Sequence, residues 1–423
     1  MSLEDLKLKS LAWPDHHRLD SYYSGDHRLD AIGVSLPPEV RVLEMTVSWP
    51  KMAVEVLDEV LNVEGFRVQG ASPEQGAEVT DLLRSWWQAN NLDTHSHLGH
   101  TEAMVQGRAF AVIGPGAGNT PQISVHSAKG IAVDVDAFGN VCEAVQRFSD
   151  KGTEYLIHYT PGFNTVYQVG KDGSRYQYTA PSGTQYIPVV PLVNRSRIND
   201  VRGTSEMQDV LTLADAASRS LTNLQVAQEL LALPQRYLFG NGLNDLKDQN
   251  GKPISKLKAY LGMLWTGPQD AKAGQLPGAD LTQIINAVKL YAQMVSSITG
   301  IPPSFLGIQT DNPSSAEAMR AAKERLITKA ERKQALFGDA WEQVMRISLD
   351  MYAPLLGINA DELSIETLWR DPATPSKSAK AANALQAHAQ GILSAHTARE
   401  ALDLTPEQRA YEDGYEKELM TGI

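Results

Sequence analysis

An α+β fold is predicted for the 423 residues by three features of the sequence. Residues 281–299 carry Leu281, Ile284, Ile285, Val288, Tyr291, Val295 and Ile298 at helical spacing, so that they share one stripe. A longer helix is predicted from Ser314 to about Tyr352, with Asn312 suited to the N-cap, Pro313 to the first helical position and Glu317 to the positive end of the dipole. Residues 108–192 alternate apolar and polar side chains between turn signals, the pattern of an antiparallel meander.

Composition narrows the function. The chain is 42% hydrophobic and 21% charged, as expected of a soluble protein of two or three domains. No run approaches the ~18 apolar residues of a membrane span, and Met1–Lys7 lacks the apolar core of a signal peptide. The single cysteine, Cys142, excludes an internal disulfide, points to a reducing setting and reads as a small buried hydrophobe. A net charge of -12 weighs against a protein built to grip nucleic acid, since Lys and Arg supply that affinity. The same charge suits a wall past which a duplex slides.

Residues 1 to about 35 are polar, and His16, His17 and His27 read as surface histidines. Helices are predicted over 44–63, 74–90 and 94–106, with a strand at 65–68. The third helix opens with His95, His97 and His100. Imidazole is a common zinc ligand. On a helix, however, His97 and His100 share a face while His95 lies roughly 200° around from His97, so a polar helix start is the reading adopted.

In the meander, strands are expected at 108–113, 122–125, 131–136, 141–148, 154–159, 164–169 and 175–179, closed by Ile187–Arg195. The glycine-rich turn after Ile113 lacks a Gly-Lys-Ser/Thr ending and reads as a hairpin, not a phosphate loop. Asp134 and Asp136 would share a strand face; paired carboxylates can hold magnesium, but no third acidic ligand or base stands out, and an exposed strand face beside Phe138-Gly139-Asn140 is the reading adopted. A helix from a capped start at 203–206 to about Leu233 carries Val210, Ala214, Ala217, Leu221, Leu224 and Leu231 at helical spacing. The segment 234–280 is rich in Gly and Pro, with a strand at 233–239. The long helix is charged in its first half, from Arg320 to Lys333, as on a solvated or inter-subunit face, and apolar in its second. A strand over 367–371 and helices over 376–392, 394–403 and 406–420 complete the chain.

The run from Gly300 to Gly307, Gly-Ile-Pro-Pro-Ser-Phe-Leu-Gly, follows a regular helix and precedes a polar loop and Asn312-Pro-Ser-Ser-Ala-Glu-Ala318. Together with Tyr22-Tyr-Ser-Gly25, the proline-rich line before Asn194 and the Trp369-Arg-Asp-Pro372 phrase, this order resembles the portal proteins of tailed double-stranded-DNA bacteriophages. The resemblance implies a wing at 1–203, a first stem helix at 204–233, a clip at 234–280 and a second stem helix at 281–299. A tunnel loop would follow at 300–313, then a long wing helix and its following segment at 314–366 and a crown at 367–423. Leu221, Leu224, Ile284, Val288 and Val295 would pack the stem, and Phe305 and Leu306 would anchor the loop. Gln309, Thr310, Asp311 and Asn312 would face DNA. The resemblance further implies a dodecameric ring at one capsid vertex, assembled in the host bacterial cytoplasm. Genomic double-stranded DNA would enter and leave through it, with terminase, head–tail adaptor, major capsid and scaffolding proteins as partners. No membrane, cofactor, metal or catalytic residue is implied.

Two rival classes stay open at this point. One is a metal-dependent nuclease or hydrolase using Asp134, Asp136 or the cluster from His95 to His100. The other is a helical scaffold unrelated to phage.

Overall fold

The structure, a computed structural model, describes residues 16–29, 42–70, 72–170, 172–198, 200, 202–231, 236–239, 272–275, 280–308, 316–373, 377–395, 398–399, 402 and 411–412. Its first helices are α1 (His16–Ser24) and α2 (Trp49–Asp58), followed by strand β1 (Val63–Gln69). Helix α2 is shorter than the predicted 44–63: Pro50 fits a first turn, and residues 44–48 run non-helically ahead of it. Helix α3 (Pro73–Ala89) starts where the Ser72 side chain accepts the Gln75 N–H at 3.3 Å. Helix α4 (Leu92–Gln106) ends on Gly107, whose φ of 88° is closed to most side chains.

The predicted meander divides into two sheets. Strands β2 (Arg108–Gly114), β3 (Gln122–Ser127) and β9 (Val189–Val193) form a three-stranded antiparallel sheet in the order β3-β2-β9. Strands β4 (Ile131–Val135), β5 (Val141–Asp150), β6 (Thr153–Thr160), β7 (Phe163–Val169) and β8 (Arg175–Pro181) form the five-stranded meander. The closing line at 187–195 therefore returns to β2 rather than to the meander. Burial gives the reason: Arg108 through Ile113 are all buried because β2 is covered on both faces. Ala109, Ala111 and Ile113 face the helices, while Phe110 and Val112 face Ile131, Ala144 and Tyr159 of the meander.

Beyond the sheets come α5 (Leu211–Leu231), the pair β10 (Arg236–Phe239) and β11 (Lys272–Gln275), and α6 (Thr282–Thr299). A 3-10 turn (Pro303–Leu306), the long helix α7 (Ala316–Leu356), strand β12 (Ser364–Trp369) and helix α8 (Lys377–Ala389) follow. Helices α4 and α7 lie against the three-stranded sheet, and Trp86, Phe337 and Trp341 fill the core between them with almost no exposure. Strand β1 pairs with β12 across about 300 residues of chain, from Val63↔Trp369 to Gln69↔Ser364, a pairing no local pattern announces. Of the C-terminal helices expected at 394–403 and 406–420, residues 395, 398–399 and 411–412 are helical, residue 394 is irregular, residue 402 is in a turn, and the remainder falls outside the described residues.

Three further expectations change. Cys142 is exposed, because the register passes from Asp134↔Glu143 to Val135↔Val141 and leaves it as the extra residue of a bulge, which breaks the alternation that would have placed it on the buried Ala144 face. His27 is buried, stacked on Tyr22 at 4.1 Å between centroids, rather than on the surface. The capped start at 203–206 is not yet helical: Glu206 donates its backbone N–H to Met104 O at 2.7 Å, and residues 206–210 form turns before α5 begins.

Candidate functional site

Helices α5 and α6 pack side by side, as their apolar stripes require. On α6, Val295 is fully buried while Ile284 and Val288 are half-buried. On α5, Leu221 and Leu224 are half-buried, and the most deeply buried side chains past Ala217 are Ser218 and Thr222. Sequence periodicity misses these two because their partner is backbone. The non-helical residues 44–48 lie along α5, where Met45 N donates to Thr222 Oγ1 at 3.0 Å and Val47 N donates to Ser218 Oγ at 3.2 Å. Hydroxyls there satisfy donors that leucines would have left unpaired.

Helix α6 stops at Gly300, which takes φ 79°. The left-handed turn favours glycine, and a Cβ there would stand 3.0 Å from Arg325 Cγ, so the arginine stem would have to shift for any larger residue. The Arg325 guanidinium donates to the carbonyls of Ser297 and Ile298, the latter at 3.3 Å. A cation thereby meets the negative end of the α6 dipole and fixes the long helix against it. In the 3-10 turn Leu306 packs on the main core, whereas Phe305 is 42% exposed with Lys323 Nζ 5.8 Å from its ring centroid. Of the two residues expected to anchor the loop, Leu306 alone is seated in the core. Gln309, Thr310, Asp311 and Asn312 lie outside the described residues.

The approach to α5 is tied to α7 by a buried ionic junction that the sequence did not mark. The Glu206 carboxylate accepts from Lys333 Nζ at 3.0 Å and from Lys329 Nζ, and Asn194 Nδ2 donates to it at 3.3 Å. Lys333 also donates to Asn194 Oδ1. Burial pushes the Glu206 pKa upward, but the ammonium groups of Lys333 and Lys329 outweigh it and hold the acid at about 2. The charged first half of α7 is therefore not wholly solvated.

The rival sites are reorganised. Helical geometry sends His95 away from the other two histidines, and Asp58, from the end of α2, joins His97 and His100 instead. One ring nitrogen of each histidine and one Asp58 oxygen lie within 4.8 Å of one another. His97 Nδ1 contacts Asp58 Oδ2 at 3.2 Å, and that bond raises its pKa. His100 is fully buried, stacked on Phe337 at 4.9 Å, and its Nε2 accepts the Trp341 indole N–H at 2.9 Å. An indole only donates, so the His100 proton sits on Nδ1. A metal at Nδ1 would require an imidazolate, and one at Nε2 would break the bond to Trp341. The donor set thus suits a neutral histidine wedged in the core better than a ligand. Equimolar zinc is expected to leave the thermal midpoint unchanged; a rise that His97→Ala abolishes would reverse this reading.

Asp134 and Asp136 do not share a face. Strand β4 ends at Val135 after a register shift, and Asp136 turns into the following loop. Its Oδ1 accepts the N–H groups of Phe138 at 2.8 Å and Asn140 at 2.9 Å, and its Oδ2 accepts Asn140 Nδ2 at 3.1 Å. The bonds to Asn140 lower its pKa, and the carboxylate is committed to the turn.

Residues 12–413 match the family model for phage portal proteins of the SPP1 Gp6-like type. The chain is similar to the portal protein of Mycobacterium phage L5, 37% identical over 398 residues that span 90% of this chain and 80% of that one. It is similar to the portal protein of Mycobacterium phage D29 at 36% identity over 401 residues, with the same shares. Among solved structures it resembles a chain from the neck of an empty gene transfer agent particle, with TM-score 0.48 and 15% identity over 89% of this chain and 92% of that one.

Proposed function

The chain belongs to the SPP1 Gp6-like family of phage portal proteins, and from that premise we propose that its copies close into a dodecameric ring around a bore for double-stranded DNA. One observation carries the ring. Helix α6 buries one face against α5 and leaves an apolar stripe of its own open: Leu290, Met294 and Ile298, each one turn apart, are 54%, 43% and 39% exposed in the single copy. Large apolar side chains aligned on one helix face mark a contact surface. A contact between unlike faces closes into a ring when its rotation permits. Covering this stripe with a neighbour completes a wall of paired helices.

Within that ring, residues 204–233 and 281–299 form the stem and 300–313 the tunnel loop, with Gln309, Thr310, Asp311 and Asn312 towards DNA. The segment 301–313 contains no Lys or Arg, so it touches phosphate without holding it. The clip at 234–280 receives the terminase and later the head–tail adaptor. The wing, 1–203 with 314–366, meets the major capsid and scaffolding proteins, and 367–423 forms the crown. The chain carries out no covalent step; its role is that of a structural component of the virion vertex. Among the described residues no helix is long and apolar enough to cross a membrane.

Negative-stain imaging and native mass test the ring: a symmetric annulus is expected, and a chain that stays monomeric at every salt concentration would sink it. Asp311→Arg is expected to hinder DNA packaging while leaving ring assembly intact. Packaging at the unmodified level would remove this loop from the DNA path.

A further inference from the structure

A cavity of about 1050 Å³ opens between the loop after β9 and the middle of α7. Arg195, Arg197 and Ile198 line one wall, and Lys329, Arg332 and Leu336 the other. Glu206 engages Lys329 and Lys333. Among the described residues Arg195, Arg197 and Arg332 form no ion pair and are exposed. In a chain of net charge -12, this is a concentrated basic cleft. Its rim is also apolar, since Ile198 is 93% exposed.

The geometry points to a second copy of this chain as the occupant, docked through the acidic flank of its own α7. Glu324, Glu331 and Asp339 recur at seven and eight residues, with Thr328 and Ala335 between them, so that they form one exposed stripe roughly 22 Å long. That stripe contains no basic residue, and its carboxylates make no ion pair among the described residues. The basic and acidic surfaces are neighbouring stripes of the same helix that meet along Ala335, which also lines the cavity, so each copy offers both halves of the contact. Charge complementarity sets the register, and covering Ile198 and Leu336 adds apolar burial. A DNA backbone would meet the arginines but would gain nothing from Ile198, which favours a protein partner. The inference rests on the ring reading above and assigns one of its contacts.

The test is charge reversal in the full chain, read by native mass and sedimentation, with circular dichroism to confirm folding. Arg195→Glu with Arg332→Glu is expected to lower the assembled fraction by about tenfold or more, as like charges face one another. Adding Glu324→Arg and Asp339→Arg to the same chain is expected to restore rings, because both halves of the contact are then inverted. Rings that persist after the first pair of substitutions, or that are not restored by the second, overturn the assignment. Intact rings whose salt-dependent binding of duplex DNA is lost in the first variant would also overturn it and give the cleft to nucleic acid. Failure of the unmodified chain to form rings is a different result, which removes the ring itself.

Discussion

Glu206→Gln is expected to destabilise the folded chain by on the order of 3–5 kcal/mol at pH 7, the range for breaking one side of a buried ion pair. Glutamine keeps the shape of the side chain and can still bond to Asn194. It removes the anion that, among the described residues, alone meets Lys329 and Lys333, which project from successive turns of α7. Lys333 is buried, so the positive charge left behind is poorly screened, and Arg195, Arg197 and Arg332 beside it add like charge. The loss should appear as a lower urea midpoint, and an unchanged midpoint would show that the junction adds nothing.

Acid supplies a second reading of the same pair. The folded carboxylate titrates at about 2 against an ordinary value of 4.5, so the unfolded chain takes up the proton first as pH falls. The contribution is complete above 4.5 and disappears on the way to 2. The variant lacks it at every pH, and the two stability curves should converge towards pH 2. Curves that stay parallel would place the cost in packing rather than charge.

The second stem-like helix was legible because α6 buries a face through Ala292, Val295 and Thr299, yet Ile285 and Ile298, read into the same stripe from the sequence, are exposed, since spacing alone does not tell a buried apolar face from an open one. The meander was legible in its strands but not in its partition. Alternation fixes which face a residue occupies, not which strand lies beside it, so the return of β9 to β2 and the pairing of β1 with β12 stayed hidden. The same limit explains the missed contacts. Asp58 reaches His97 from another helix, Arg325 reaches the last carbonyls of α6, and Glu206 reaches two lysines more than a hundred residues away. Polar partners distant in sequence leave no periodicity. A loop motif, by contrast, is local, and the run from Gly300 to Gly307 carried the family resemblance because Gly300 is favoured by a positive φ and by the arginine above it.

Lowering the pH from 7 is expected to destabilise the chain through His100 at roughly 1.4 kcal/mol per pH unit once below 6.5, and by on the order of 5 kcal/mol in total by pH 3. Burial, helped by neighbouring His97, pushes the His100 pKa from 6.5 down to about 3. The folded state therefore refuses a proton that the unfolded state accepts, and stability falls as pH drops through this window. The groups facing His100 set the context: Phe337, Trp341 and Trp369 offer it no anion, while His97 and Asp58 already bond to each other. Protonation would also convert Nε2 from acceptor to donor, opposite an indole that only donates. His100→Leu separates this term from the rest. It leaves the Trp341 N–H unpaired, at a cost of about 1–3 kcal/mol at neutral pH, yet removes the titration. Between pH 6.5 and 4.5, above the range in which Glu206 responds, the variant should show a flatter stability profile than the unmodified chain. Equal slopes in that interval would mean that His100 is not the group that acid attacks.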